Sequence, residues 1–353
     1  MIRVLIVDDS AIVRKTLCSE LSKYRDIEVV GSAIDPYVAR DKIIRLRPEV
    51  ITLDLEMPRM NGLAFLAKLM KYHPLPVVVV SSLTPKNSEA AMKALELGAI
   101  EVICKPGSAY RTPEISRQLI HAIRAAASAR ITQQQVTLDT SPAGSATHNI
   151  HLQTTHKVIA IGASTGGTRA IESVLRGLPV TSPGTLIVQH MPEQFTTTFA
   201  QRLNQICQIE VREAQDNDPV GPGIALVAPG NRHMLLQQNG ARYLVRIKNG
   251  PAVNHQRPSV DVLFQSVAHS AGSNAVGVLL SGMGADGAKG LLAMHEKGAY
   301  TLAQDEQTCV VFGMPKEAIR LGAVDRVVPI ERVPSAIISF LQTQEREAEK
   351  KAL

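Results

Sequence analysis

Residues 2–9 read IRVLIVDD, a run of mostly aliphatic side chains that stops abruptly on two carboxylates. A short apolar run bounded by polar residues reads as a buried strand. The same pattern repeats outward from it: IEVVGSA from residue 27, VITLDL from 50, PVVVVSS from 76 and IEVICKP from 100, each followed by an amphipathic stretch. Five strand–helix units in succession predict a doubly wound parallel sheet over residues 1–127. In open sheets of this kind the chemistry sits at the carboxyl ends of the strands, and the residues there are Asp8, Asp9, Asp54, Ser81 and Lys105.

Three carboxylates at one sheet edge repel one another unless a cation neutralises them, and hard oxygen ligands with open positions suit Mg²⁺. Ser81 and Lys105 then flank Asp54 with a hydroxyl and a cation for a phosphoryl group, which makes Asp54 a candidate nucleophile. Lys105-Pro106 is a candidate cis peptide.

The whole chain has 353 residues, 45% of them hydrophobic and 20% charged. That is enough apolar material for two domains and excludes wholesale disorder. Aromatic residues make up only 3%, so Val, Ile, Leu and Ala must fill the cores and there are few rings on which to stack nucleic-acid bases. The net charge of +6 is spread thinly: residues 1–125 carry 18 Lys and Arg against 14 Asp and Glu, and residues 157–353 carry 19 against 17. No local basic stripe marks a nucleic-acid footprint. Cys18, Cys104, Cys207 and Cys309 are far apart, with no C-x-x-C pair for zinc or redox chemistry. The expected protein is cytoplasmic, with no signal peptide and no apolar run near the ~18 residues of a membrane helix.

Residues 128–156 are rich in Thr, Gln and Ser and read as a flexible linker, in which His148, His151 and His156 belong to a solvated tether. A second α/β pattern starts at KVIAIGASTGG (157–167) and continues through TLIVQHM, QIEVREA, GIALVAPG and AVGVLLSGMGADG to about 345. Asn239-Gly240, set between two apolar runs, signals an added β-hairpin. The expectation for 157–345 is a mostly parallel doubly wound domain, followed by a charged tail at 346–353 that is helical or frayed.

GASTGG (162–167) follows a strand and opens a helix, so Ser164 falls on a G-x-S-x-G turn that exposes a nucleophile to helix amides. The competing reading is a phosphate-cradling dinucleotide loop, which demands an acid at the end of the next strand. That strand ends instead in Gln189 and His190. His190 is the candidate base, ahead of His233 and His255 in expected turns, and Asp286 is the candidate acid to orient it. The order Ser, His, Asp departs from that of the α/β-hydrolases. The Met283 and Thr165 amides are candidate oxyanion donors.

VDDS, LDLEMPRMNG, VVSS and CKP resemble response-regulator receiver domains, of flavodoxin-like fold, over about residues 1–125. The resemblance implies that Asp54 accepts phosphate from a histidine kinase, that Asp8, Asp9, Asp54 and the Glu56 carbonyl hold Mg²⁺, that Ser81 responds to the phosphoryl group and that Lys105 contacts it. Val102 stands where many receivers place a switch aromatic. IGASTGG, QHMP, APGNRHM, GPAVNHQRPSVDVLF, LSGMGADG and CVVFGMP resemble the catalytic domain of the chemotaxis protein-glutamate methylesterase family, CheB. This implies a cofactor-free triad of Ser164, His190 and Asp286 that hydrolyses glutamate γ-methyl esters on methyl-accepting chemoreceptors and deamidates receptor glutamines, with neither nucleic acid nor membrane insertion involved. The rival classes are a phosphorylation-controlled transcription factor and a receiver fused to a nucleotide-dependent enzyme.

Overall fold

The computed structural model describes residues 1–57, 60–82, 84–105, 112–130 and 156–352; the side chains at 85–86, 112–115, 348–349 and 351–352 are not described. The first half alternates β1 (Ile2–Val7), α1 (Ala11–Leu21), β2 (Ile27–Ala33), α2 (Pro36–Leu46), β3 (Val50–Leu53), α3 (Gly62–Tyr72), β4 (Val77–Ser81), α4 (Pro85–Glu96), β5 (Glu101–Cys104) and α5 (Thr112–Ser128). The strands pair in parallel in the order β2-β1-β3-β4-β5. Leu5, Val7, Ile51, Leu53, Val77 and Val79 face one apolar layer, while Val4, Ile6, Val50, Val78 and Val80 face the other. Burial on both faces is why these strands read as unbroken apolar runs.

The second half runs β6 (Val158–Ala163), α6 (Gly167–Arg176), β7 (Gly184–Gln189), α7 (Phe195–Ile206), β8 (Glu210–Glu213), β9 (Pro219–Val220), β10 (Ile224–Val227), β11 (His233–Asn239), β12 (Arg242–Lys248), α8 (Val260–Ser270), β13 (Ala275–Leu279), α9 (Ala288–Glu296), β14 (Tyr300–Gln304), α10 (Met314–Arg320), β15 (Arg326–Val328) and α11 (Val333–Ala352). Seven strands form one sheet in the order β15-β14-β13-β6-β7-β10-β8, all parallel. The expected hairpin is β11–β12, turning at Gly240 with φ +61°, and with β9 it makes a small antiparallel sheet of its own.

α5 runs one residue past the expected boundary at 127, and α11 passes through residue 346 without a break, so the charged end continues a helix. The expected linker lies mostly outside the described residues, as do His148, His151 and the Lys105-Pro106 peptide. His233 is not in a surface turn: it starts β11 and is buried, with Nε2 2.9 Å from the Pro251 carbonyl and Nδ1 accepting from the Ser259 amide at 3.2 Å. Both ring nitrogens are engaged in holding the loop before α8, so neither is free to serve as a base.

Candidate active site

The 2-1-3-4-5 order sets the ends of β1 and β3 side by side, and ligand oxygens of Asp8, Asp9 and Asp54 lie within 4.8 Å of one another. Lys105 Nζ reaches across from the end of β5, 3.1 Å from Asp8 Oδ2 and 2.7 Å from Asp54 Oδ2. These two buried oxygens otherwise find no partner among the described residues. Burial pushes the Asp54 carboxyl up against the opposing pull of Lys105, while the two carboxylates keep Lys105 charged despite its own burial. An oxygen-only cluster this short of donors fits Mg²⁺. Ser81 ends β4, buried, and its carbonyl accepts the Lys105 amide at 2.8 Å; the Glu56 amide donates to Asp54 Oδ1 at 3.1 Å. Val102 is buried in the core.

In the second domain the neighbours β13, β6 and β7 carry Asp286, Ser164 and His190 to the same sheet edge. Ala163 pairs with Gln189, so Ser164 and His190 are the next residues on adjacent strands, and the His190 amide donates to the Ala163 carbonyl at 3.1 Å. Ser164 sits on the turn into α6. Gly166 takes φ +78°, the left-handed conformation a side chain would resist. Gly282 passes so close that a Cβ there would fall 2.7 Å from Ser164 Cβ. Gln189, which the sequence offered only as a strand end, donates through Nε2 to the carbonyls of Ser164 (2.8 Å) and His190 (3.2 Å) and so ties the two main chains together.

His190 Nε2 lies 2.8 Å from Asp286 Oδ2. A carboxylate only accepts, so this nitrogen carries the proton, and Nδ1, buried and without a partner among the described residues, is left as the base. Asp286 also accepts the Val260 amide (2.7 Å), the Asp261 amide (3.2 Å), the Ser259 hydroxyl (2.8 Å) and Asn254 Nδ2 (2.8 Å). Burial alone would raise its pKa, but His190, Asn254 and the Val260 amide together hold it at about 2. It is an anion seated on the N-terminus of α8. The Thr165 and Met283 amides donate to no acceptor among the described residues, and Met283 directly follows the Gly282 that abuts Ser164.

The first domain covers this edge. From β5, Glu101 Oε2 accepts the Thr165 hydroxyl at 2.6 Å. Burial pushes the Glu101 carboxyl up, opposed by that hydroxyl and by the charge of His190. From α5, His121 approaches Gly284, where a Cβ would lie 3.9 Å from its Nε2, and burial lowers its pKa, reinforced by the charges of His190, Arg124 and His255. At the end of α4, Glu96 pairs with Arg202 of α7, and its carbonyl accepts from Arg169 of α6 at 2.7 Å. Past α5, Arg130 pairs with Glu306 at 2.8 Å and its amide donates to the Val310 carbonyl at 3.2 Å. On the receiver side, Glu96, His121 and Arg130 lie in no sequence motif, and their role appears only on docking.

Comparison with known proteins assigns both halves. Residues 159–337 match the family described as CheB methylesterase, and residues 4–115 match the response regulator receiver domain. A protein-glutamate methylesterase/protein-glutamine glutaminase of Syntrophus aciditrophicus is 58% identical over 340 residues, spanning 96% of this chain and 99% of its own. A protein of the same name from Yersinia pestis is 55% identical over 344 residues and 97% of each chain. The crystal structure of the Thermotoga maritima CheB methylesterase catalytic domain, 37% identical, superposes with a TM-score of 0.51 over 52% of this chain and 98% of that one.

Proposed function

The chain belongs to the CheB methylesterase family, with a response-regulator receiver domain attached, and from that membership we propose that it is a phosphorylation-activated protein-glutamate methylesterase and protein-glutamine glutaminase of bacterial chemotaxis. Its substrates are methylated glutamates and glutamines on the cytoplasmic helices of chemoreceptors, and its phosphodonor is a chemotaxis histidine kinase. It works in the cytoplasm; no helix among the described residues is long and apolar enough to cross a membrane. The division of labour is receiver 1–127, linker 128–156, catalytic domain 157–345 and charged tail 346–353.

The hydrogen bond between His190 and Asp286, beside Ser164 on the adjoining strand end, carries this reading. Ser164 Oγ attacks the γ-carbonyl while His190 Nδ1 takes its proton, with the imidazolium stabilised by Asp286. The tetrahedral oxyanion is met by the Thr165 and Met283 amides, contacts of a kind typically worth about 10²–10³ in rate each. His190 returns the proton to the leaving methoxide, or to the departing amine of a glutamine, and water then releases the acyl-enzyme by the same path. Ester and amide share one site because both pass through the same kind of oxyanion. No metal enters these steps. In the receiver, Asp8, Asp9, Asp54 and the Glu56 carbonyl would hold Mg²⁺, which neutralises charge during phosphoryl transfer. Asp54 is the acceptor, while Lys105 and Ser81 stand beside it for the phosphoryl group.

The receiver's contacts through Glu96, Glu101, His121 and Arg130 support a masked resting state. A transcription factor finds no favour in a seven-stranded parallel sheet as the output half. Methanol release from methylated receptor by Ser164→Ala tests the reading: loss of a triad nucleophile costs on the order of 10⁶ in kcat, whereas activity like that of the wild type would overturn it.

A further inference from the structure

Two buried acids meet behind His190. Asp286 stands just before α9 and accepts amides from the first turn of α8. Asp261 stands in that first turn of α8 and accepts the amides of Gly287 (3.0 Å) and Gly290 (2.7 Å) at the start of α9. Each helix therefore has its orphan N–H groups satisfied by an acid from the other. What joins the pair is the amide of Asn254, whose Nδ2 donates to Asp261 Oδ2 and to Asp286 Oδ1, both at 2.8 Å. A primary amide has two hydrogens, one for each acid.

The loop is built to deliver that side chain. Val253 and Gln256 exchange amide–carbonyl bonds at 3.0 and 2.9 Å, and between them Asn254 and His255 take φ of 51° and 63°. Positive φ at both central positions is the geometry of a type I′ turn, which Asn tolerates better than most residues. The turn itself is exposed, yet the Asn254 side chain reaches in to two acids that are 4% and 3% exposed.

We propose that Asn254 and Asp261 are positioning residues for the esterase reaction: Asn254 fixes the Asp286 carboxylate on the His190 ring and, with one hydrogen for each acid, keeps both acids ionised side by side. The inference rests on Asp286 being the acid of the triad. The environments already push the acids apart, since burial and the charge of Asp286 raise Asp261 while Asp286 is held low. Without the shared donor the two titrate as a coupled pair, and a proton that reaches Asp286 removes the charge that stabilises the imidazolium.

The test uses the full-length protein, activated with a small phosphodonor, on methylated receptor. Asn254→Gly removes the side chain while suiting the left-handed backbone. It should lower kcat about 10- to 100-fold, the loss typical where a partner that orients a metal ligand is removed, with KM little changed and the acid limb of the kcat profile moved to higher pH. Adding Asp261→Asn removes the competing acid and should return that limb to its wild-type position while kcat stays low. A purely structural role would lower melting temperature without moving the limb. An unmoved limb, or a kcat within twofold of wild type in folded Asn254→Gly, overturns the proposal. Should Asn254→Gly not fold, Asn254→Ser, which has one hydrogen to donate in place of two, must show the same displaced limb. Asp286→Asn in the same assay separates the two levels: near-wild-type activity there would sink the triad itself.

Discussion

Glu101 of the receiver and Thr165 of the catalytic domain are joined by a 2.6 Å hydrogen bond, one residue away from Ser164, the proposed nucleophile. A glutamate side chain is what the esterase releases, and here one from β5 is held at the edge of the candidate catalytic centre. The bond couples the receiver's fifth strand, whose end carries Lys105, to the turn that presents Ser164. A rearrangement of β5 on phosphorylation would act on this bond.

Glu101→Ala should raise the basal activity of the unphosphorylated protein. A coupling of about 1–3 kcal/mol between masked and open states corresponds to about 5- to 150-fold in activity, and one charge-assisted hydrogen bond accounts for the lower part of that span. Methanol release without phosphodonor measures it. Unchanged basal activity would show that Glu101 contributes nothing to masking.

Asp54→Ala should abolish incorporation of acid-labile phosphate and the stimulation by phosphodonor, while leaving basal esterase activity in place. The two proposed nucleophiles, Asp54 and Ser164, lie in different domains and share no side chain. A variant still labelled with one phosphate and normally activated would misplace the acceptor.

The Asp286 carboxyl has a pKa of about 2 against an ordinary value of 3.8. A depressed acid contributes stability that is fully present above its unfolded pKa and is lost as pH falls through the folded one. Asp286→Asn should therefore cost on the order of 2 kcal/mol in urea unfolding near neutral pH, and the gap to wild type should narrow between pH 4 and pH 2. A gap independent of pH across that window would show that the charge itself contributes no stability.

Much of the architecture was legible because parallel strands buried on both faces must be continuous apolar runs, and because Asn239-Gly240 fits a tight hairpin. Strand-end chemistry was legible for the same reason: once the sheet is parallel, Asp8, Asp54, Lys105, Ser164 and His190 have to emerge at its carboxyl edges. Asn254, Ser259 and Asp261 were not, since they act on Asp286 from a turn and a helix start, where side-chain direction depends on φ values the sequence does not display. His233 was misread because β11 begins on it directly after a turn. Glu101, His121 and Glu96 were invisible because they are ordinary surface residues of a receiver until a second domain meets them.

On the proposed function, the receiver holds the Ser164 cleft closed until Asp54 is phosphorylated. This is tested most directly by methanol release from methylated receptor, comparing a fragment that starts at His156 with the unphosphorylated full-length protein. The Thermotoga maritima catalytic domain, solved alone, shows that this half of a relative stands as an independent unit. The fragment should outperform the resting whole and gain nothing from phosphodonor. A correctly folded fragment less active than the unphosphorylated whole would contradict this and make the receiver a contributor to catalysis.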